Sequence, residues 1–315
     1  MTENNESATI LGLDIGGSKT GLVLGDYQGR VLRRAEIPTP AREMFAPAFR
    51  IISGAARAFL GACQGEGLPA PGCISVSVGG PLDIHRGILY APPHLKAWGQ
   101  APLKQRLEET FPLPVFVEHD GNAGALAEFH FGAGRGASNM VFLTMGTGLG
   151  AGLILNGRIY HGASDMAGEV GHMRMAPDGP VQYGKAGSWE GFCSGAGLVS
   201  RARLRQPERW PTETTPRDVI SRALEGDAHA REIVAESGRW FGRGLALIVD
   251  MLNPDVIVVG TLGVVLGELL LAPARVALYE EALLRSVEAC SIVPAQLGGK
   301  LGDTAALMAA IAARG

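Results

Sequence analysis

Apolar residues dominate positions 9–13 and again 21–24, on either side of the small, polar tip Gly16-Gly17-Ser18-Lys19. Two β-forming runs flanking a glycine turn predict a hairpin. A third strand is expected at 31–37, after which the spacing over 44–60 changes to a helical period. Residues 74–78 read as a short buried strand. From 81 to 98 proline, glycine and histidine interrupt any period, which predicts loops beside a cleft. Pro102 opens a helix to about 109, and Pro112 and Pro114 lead into a strand at 115–118. Asp120 therefore stands just beyond a strand end, where open α/β sheets commonly bind ligands. A second glycine-rich strand-turn-strand is expected at 139–155, a long helix at 228–252, a buried strand at 255–259 and a closing helix at 303–313. Strands alternating with helices, with two hairpins among them, predict an α/β protein with mixed sheets.

The chain of 315 residues, 46% of them hydrophobic, has enough apolar material for two ordinary cores. Its 28 basic and 31 acidic residues leave a net charge of -3, so no global field draws it to nucleic acid or to an anionic membrane. Cys63, Cys73, Cys193 and Cys290 are scattered, without the C-x-x-C pair of a redox motif or metal knuckle, and suit a reducing cytosol. The polar, acidic first residues, expected to fray, lack the basic-then-apolar run of a secretory signal. The apolar stretch 262–278 is broken by Glu268 and Arg275. The expectation is a cytoplasmic protein with no membrane insertion.

Residues 12–21, GLDIGGSKTG, gather an acid, glycines, hydroxyls and an amine at one hairpin. Small residues let backbone N–H groups approach phosphate, and Ser18 and Thr20 can add hydrogen bonds. The same composition also serves a plain tight turn. It is not a Walker loop, because the lysine does not follow the glycines at the required spacing. Residues 146–152, GTGLGAG, contain a G-x-G-x-x-A match, but a dinucleotide fingerprint needs a helix next, and 153–157 read as strand and turn. A phosphate-cradling hairpin fits better. Taken alone, a carboxylate at a sheet edge such as Asp120 is more often ordinary surface, and His172 is as readily structural as functional.

In their order and spacing, DIGGSKTG (14–21), EHDGNAGALAE (118–128), MGTGLGAG (145–152), GEVGH (168–172) and VVGTLG (258–263) closely resemble the ROK (repressor, open reading frame, kinase) family of bacterial sugar kinases. The resemblance covers nearly the whole chain. It implies a two-domain actin-like ATPase (ribonuclease H-like) fold, with a smaller domain over 1–118, completed by the helix 301–315, and a larger one over 119–300. It implies phosphate contacts from Asp14, Gly16, Gly17, Ser18, Lys19, Thr20, Gly146, Thr147 and Gly148, and an adenosine-binding turn at Gly260, Thr261 and Gly263. Asp120 takes the place of the aspartate that activates the sugar hydroxyl. Glu169, His172 and Glu190 take sugar-binding places, with His94 and His119 beside them. ATP and magnesium are the implied cofactors, Asp14 organising the metal through water, and a homodimer is the implied assembly.

Two departures bear on function. Many members of that family hold zinc with the histidine of E-x-G-H and three cysteines, but Val181, Tyr183 and Ser188 stand at the cysteine positions here. One histidine is not a zinc site, so no structural zinc is expected, and packing by Val181, Tyr183 and Trp189 is the available substitute. His119 stands where the family commonly has asparagine, and an imidazole differs from an amide in reach and hydrogen bonding. The expected activity is phosphorylation of a hexose, glucose first, with N-acetylhexosamine and fructose as alternatives. A DNA-binding sugar sensor is disfavoured, because Asp14 follows only a short leader with no room for a helix-turn-helix. A non-catalytic sugar-binding protein is the remaining alternative.

Overall fold

The computed structural model describes residues 9–182 and 184–314; the leader and Tyr183 lie outside the described residues. The chain divides into two compact units. Among the described residues the first holds 9–131, the short segment His161–Met166, and 299–314. The second holds Gly132–Tyr160 and Ala167–Gly298. The expected break at 118 falls inside the first unit, which keeps Asp120 and the helix after it.

In the first unit β1 (Thr9–Ile15), β2 (Lys19–Asp26) and β3 (Val31–Pro38) form an antiparallel meander. Helix α1 (Phe45–Gly65) then crosses to β4 (Pro71–Val78), which lies parallel to β1. The helix forms because Ala48, Phe49, Ile52, Ala56, Phe59 and Cys63 recur at three- and four-residue steps and bury one face. Residues 81–98, expected as loops, carry instead β5 (Leu82–Asp83) and β6 (Ile88–Tyr90), which join β7 (Gln100–Pro102) in a small three-stranded sheet. Strands of two or three residues are too short to show a period. Helix α2 (Leu103–Thr110) leads to β8 (Val115–His119), parallel to β4, and β8 runs directly into α3 (Asp120–Phe131). The sheet order is β3-β2-β1-β4-β8.

The second unit repeats this plan. Strands β9 (Met140–Met145), β10 (Leu149–Leu155) and β11 (Arg158–Ile159) are antiparallel. The hairpin β12 (Val181–Gln182) and β13 (Lys185–Ala186) precedes α4 (Trp189–Cys193), α5 (Gly195–Arg205), α6 (Pro216–Leu224) and α7 (Ala228–Leu252). Strand β14 (Val256–Val259) lies parallel to β9, followed by α8 (Thr261–Leu266), α9 (Glu268–Glu281), α10 (Leu284–Glu288) and β15 (Ser291–Pro294). The order β11-β10-β9-β14-β15 matches that of the first sheet. The strand after the Gly146–Gly148 turn is antiparallel β10, which excludes a Rossmann unit. Last, α11 (Leu301–Ala312) returns to the first unit, where Ala306, Leu307 and Ala310 cover Ile10, Val23 and Cys73. Among the described residues no helix is long and apolar enough to cross a membrane.

Candidate functional site

In the first unit the β1–β2 turn is closed by the Gly16 N–H donating to the Lys19 carbonyl at 3.0 Å. Asp14, one residue before the end of β1, accepts from Ser77 Oγ of β4 at 3.0 Å. Burial pushes its carboxyl up to about 6; the Ser77 bond opposes this, while Asp120 and Asp303 add to it and Lys19 relieves it. Asp14, Asp120 and Asp303 thus share one negative neighbourhood. The tip itself presents Gly17 and the exposed Ser18. Two of the expected phosphate contacts are placed elsewhere. Thr20 is fully buried with its hydroxyl 2.8 Å from that of Thr39, and Lys19 Nζ lies 3.0 Å from Glu36. Both shifts follow from β2, whose alternation turns Thr20 inward and Lys19 outward.

Asp120 opens α3 with its side chain half exposed. Its Oδ1 accepts the Gly121 N–H at 2.7 Å and lies 3.2 Å from His119 Nδ1. The same N–H lies 3.2 Å from His119 Nδ1, so the imidazole, the carboxylate and this amide meet where α3 begins. His94 comes to the same place. A Cβ on Gly79 would lie 2.3 Å from His94 Cε1 and 3.4 Å from Asp120 Oδ2, and one on Gly17 only 2.8 Å from His94 Cβ. Glycine at both positions is what lets the His94 side chain lie over the β1–β2 turn and beside the carboxylate.

In the second unit the β9–β10 turn is held by Gly146 N–H on the Gly148 carbonyl, and from outside by the Gly195 and Ala196 N–H groups on the Gly146 and Thr147 carbonyls. Ser188 caps α4 and thereby fixes Glu190 in its first turn. Glu190 is buried, and its Oε2 accepts the Leu149 N–H at 2.8 Å. Burial raises its carboxyl above the usual range; the Leu149 bond and His172 oppose the rise, and Glu169 adds to it. Glu169 and His172 are exposed and act electrically on Glu190, so the three expected sugar residues form one group. Gly260 ends β14 with its N–H on the Leu143 carbonyl at 2.8 Å, Thr261 opens α8 exposed, and a Cβ on Gly263 would meet Val259 at 2.5 Å. These three make the tight strand-to-helix turn expected there.

Two matched sheets, each with a glycine hairpin and a carboxylate against it, frame the comparison with known proteins. The model of the ROK family matches residues 10–313. This chain belongs to the ROK family. It is 34% identical over 310 residues to a glucokinase of Streptomyces coelicolor, covering 93% of this chain and 94% of that protein. It is 28% identical over 297 residues to a xylose repressor of Caldicellulosiruptor bescii, covering 89% of this chain and 72% of the repressor. The solved structure of a ROK glucokinase from Streptomyces griseus, in complex with glucose and AMPPNP, superposes with a TM-score of 0.79 at 32% identity, over 98% of this chain and all of that one. The fold is accordingly the actin-like ATPase fold of the ROK sugar kinases, α/β with mixed sheets.

In this ROK chain the stretch where the family resemblance led to an expectation about zinc cysteines is tied by hydrogen bonds among its described residues. Lys185 Nζ donates to the His172 carbonyl, and Arg174 Nη1 donates to the carbonyls of Ala186 at 2.8 Å and Pro177 at 3.4 Å. Trp189 N–H meets the Met173 carbonyl at 2.8 Å, and its buried ring stacks on Phe241 at 5.6 Å. The expected packing thus falls to Trp189, while Val181 is 60% exposed on a hairpin too short to reach a core. Tyr183, the third residue expected to pack there, lies outside the described residues. Met173 and Met175 pack against the core of the second unit. Among the described residues no three His, Cys, Asp or Glu side chains cluster as a metal site. Sequence reasoning missed Ser77, whose hydroxyl holds Asp14, because a serine within a strand carries no distinguishing pattern.

Proposed function

We propose that this protein transfers the terminal phosphoryl group of ATP to a hexose, with Asp120 as general base and glucose as the first substrate. The observation that carries this reading is the placement of Asp120: its Oδ1 is anchored by the Gly121 N–H, and Oδ2 faces the space between Gly79 and His94. A sugar hydroxyl becomes a competent nucleophile as its proton passes to such a carboxylate. Anchoring one oxygen keeps the other aimed without a search among rotamers.

The rest of the chain supplies positioning and charge. The backbone of Gly17 and Ser18 offers N–H groups to phosphate, as does that of Thr147 and Gly148, while the Gly16 and Gly146 N–H groups close the two turns. Gly260, Thr261 and Gly263 form the adenosine turn. Glu169, His172 and Glu190 bind sugar hydroxyls, and the imidazoles of His94 and His119 add hydrogen-bonding groups near the reacting end. Asp14 fits magnesium: it is a partly buried carboxylate in a field of two further acids, whose charge a cation would relieve. One carboxylate suits an ion held mainly by phosphate and water, and bound there it would neutralise phosphate charge. Similarity to glucokinases supports glucose, with N-acetylhexosamine and fructose as the next sugars.

Measuring ADP release with a panel of hexoses and N-acetylhexosamines tests the activity directly. Turnover of glucose is expected. No ADP release with any sugar, together with a sugar-dependent rise in melting temperature, would favour the sugar-sensing reading that similarity to the xylose repressor also supports. Asp120→Asn keeps size and hydrogen bonding but removes the proton acceptor, so single-turnover transfer should slow by ~10²–10⁴-fold while both ligands still bind. A wild-type rate with normal binding would remove Asp120 as the base.

A further inference from the structure

Glu118 is a carboxylate with no assigned part in sugar or nucleotide binding. Its side chain is only 8% exposed, where an uncompensated charge is costly. Both oxygens are engaged. Oε1 accepts the His119 N–H at 2.8 Å and Asn122 Nδ2 at 3.0 Å, and Oε2 lies 2.8 Å from His161 Nε2. The two donors on Oε1 flank Asp120 in sequence, so this one side chain spans the β8–α3 junction that presents the base.

His161 reaches this carboxylate by a detour. The chain leaves the second unit after Tyr160, joins the first for His161–Met166, and returns at Ala167. The detour is fastened at both ends: His161 to Glu118, and Asp165 Oδ2 to the Ile84 N–H at 3.1 Å. The hydrogen bond to Glu118 raises the imidazole's pKa, burial opposes the rise, and the charges of Glu118 and Asp165 add to it. At 2.8 Å, over a carboxylate almost out of solvent, this contact is a short hydrogen bond in a low-dielectric place, where such bonds are strong.

We infer that His161 is a positioning residue for Asp120: its bond to Glu118 fixes the β8–α3 junction, so the chemical step depends on a side chain that touches neither sugar nor nucleotide. This rests on the kinase reading above. Without His161, Glu118 keeps a buried charge with one oxygen unpartnered, a state that relaxes by turning towards water or taking a proton. Either response loosens the His119 amide and Asn122, and with them the attitude of Asp120. A misplacement near 1 Å is enough to cost ~100-fold in rate.

The experiment compares His161→Ala, His161→Gln and His161→Asn in steady-state kinetics with glucose and ATP. The Gln amide nitrogen matches the reach of the imidazole Nε2, and the Asn amide falls short of it. The expected result is a kcat roughly 10- to 100-fold lower for Ala and Asn, an unchanged KM for ATP, and recovery of most of the loss by Gln. The Gly121 amide resonance, which reports the bonds to Asp120 and His119, should shift in Ala and return in Gln. Wild-type kcat in the Ala variant would overturn the inference, as would an equal loss in all three that follows melting temperature. Should Ala fail to fold, equal kcat in Gln and Asn has the same force. If the wild type turns over no sugar, the kinase reading falls by itself, and an unmoved Gly121 amide in the Ala variant would then overturn the positioning of the junction.

Discussion

Glu190 concentrates the electrostatics of the second unit in one side chain. Its carboxyl is raised in the folded state by burial, so between the unfolded value and the raised one the native protein holds a proton that the unfolded chain has lost. Stability therefore falls as pH rises through that window, and the full penalty is present above it. Glu190→Gln can keep the Leu149 N–H bond through its carbonyl while carrying no charge. In urea denaturation the ligand-free variant should be more stable than wild type at pH 8, with the gap narrowing towards pH 4. No gap at pH 8 would mean that burial does not strain this carboxylate. The same change should weaken sugar binding by about 1.5–3 kcal/mol, the scale of one hydrogen bond to a charged group, measurable by calorimetry. The motif pattern singled out Glu190, but not that it lies against the β9–β10 hairpin at Leu149.

At the level of the element, the β12–β13 hairpin and the turn at His172 are tied by two cationic side chains, Lys185 and Arg174. Lys185→Met keeps an apolar stem and removes the donor to the His172 carbonyl. The expected outcome is a severalfold higher KM for sugar with the KM for ATP unchanged, since about 1 kcal/mol of ordering corresponds to several-fold in an equilibrium constant. Equal effects on both KM values would show that the bond supports the whole unit rather than the sugar group. Elemental analysis should find zinc well below one per chain, and a zinc-selective chelator followed by magnesium should leave activity intact. Stoichiometric zinc whose removal inactivates the protein would overturn the hydrogen-bonded account of this hairpin.

For the whole molecule, the proposed reaction draws on residues of both units. Glucose together with a non-hydrolysable ATP analogue should slow amide hydrogen exchange at Gly16–Ser18 and β8–α3 in the first, and at Gly146–Gly148 and 169–172 in the second. Protection confined to one unit at saturating concentrations of both ligands would contradict the division of labour. The duplication of the sheet order, with a glycine hairpin at the start of each unit, was partly readable, because both hairpins carry their turn residues in the sequence. The assignment of α3 to the first unit was not. Gly121 to Glu128 are buried all round, so that helix has no polar face and no amphipathic period to announce it.

By itself the sequence determined the class, the two hairpins, the long helices and the order of motifs that marks the ROK family. These depend on local spacing: apolar residues at helical steps, β-formers around glycine, carboxylates next to strand ends. Only the tertiary structure decided which of those residues meet. It turned Thr20 inward to Thr39, set Lys19 against Glu36, left Val181 in solvent, and brought His94 over Gly17 and Gly79. It also carried His161 across 43 residues of chain to Glu118, a pairing no local pattern encodes. The physical reason is that strand alternation and helix period fix which way a side chain points, whereas its partner is fixed by the register of strands and the path of loops distant in sequence.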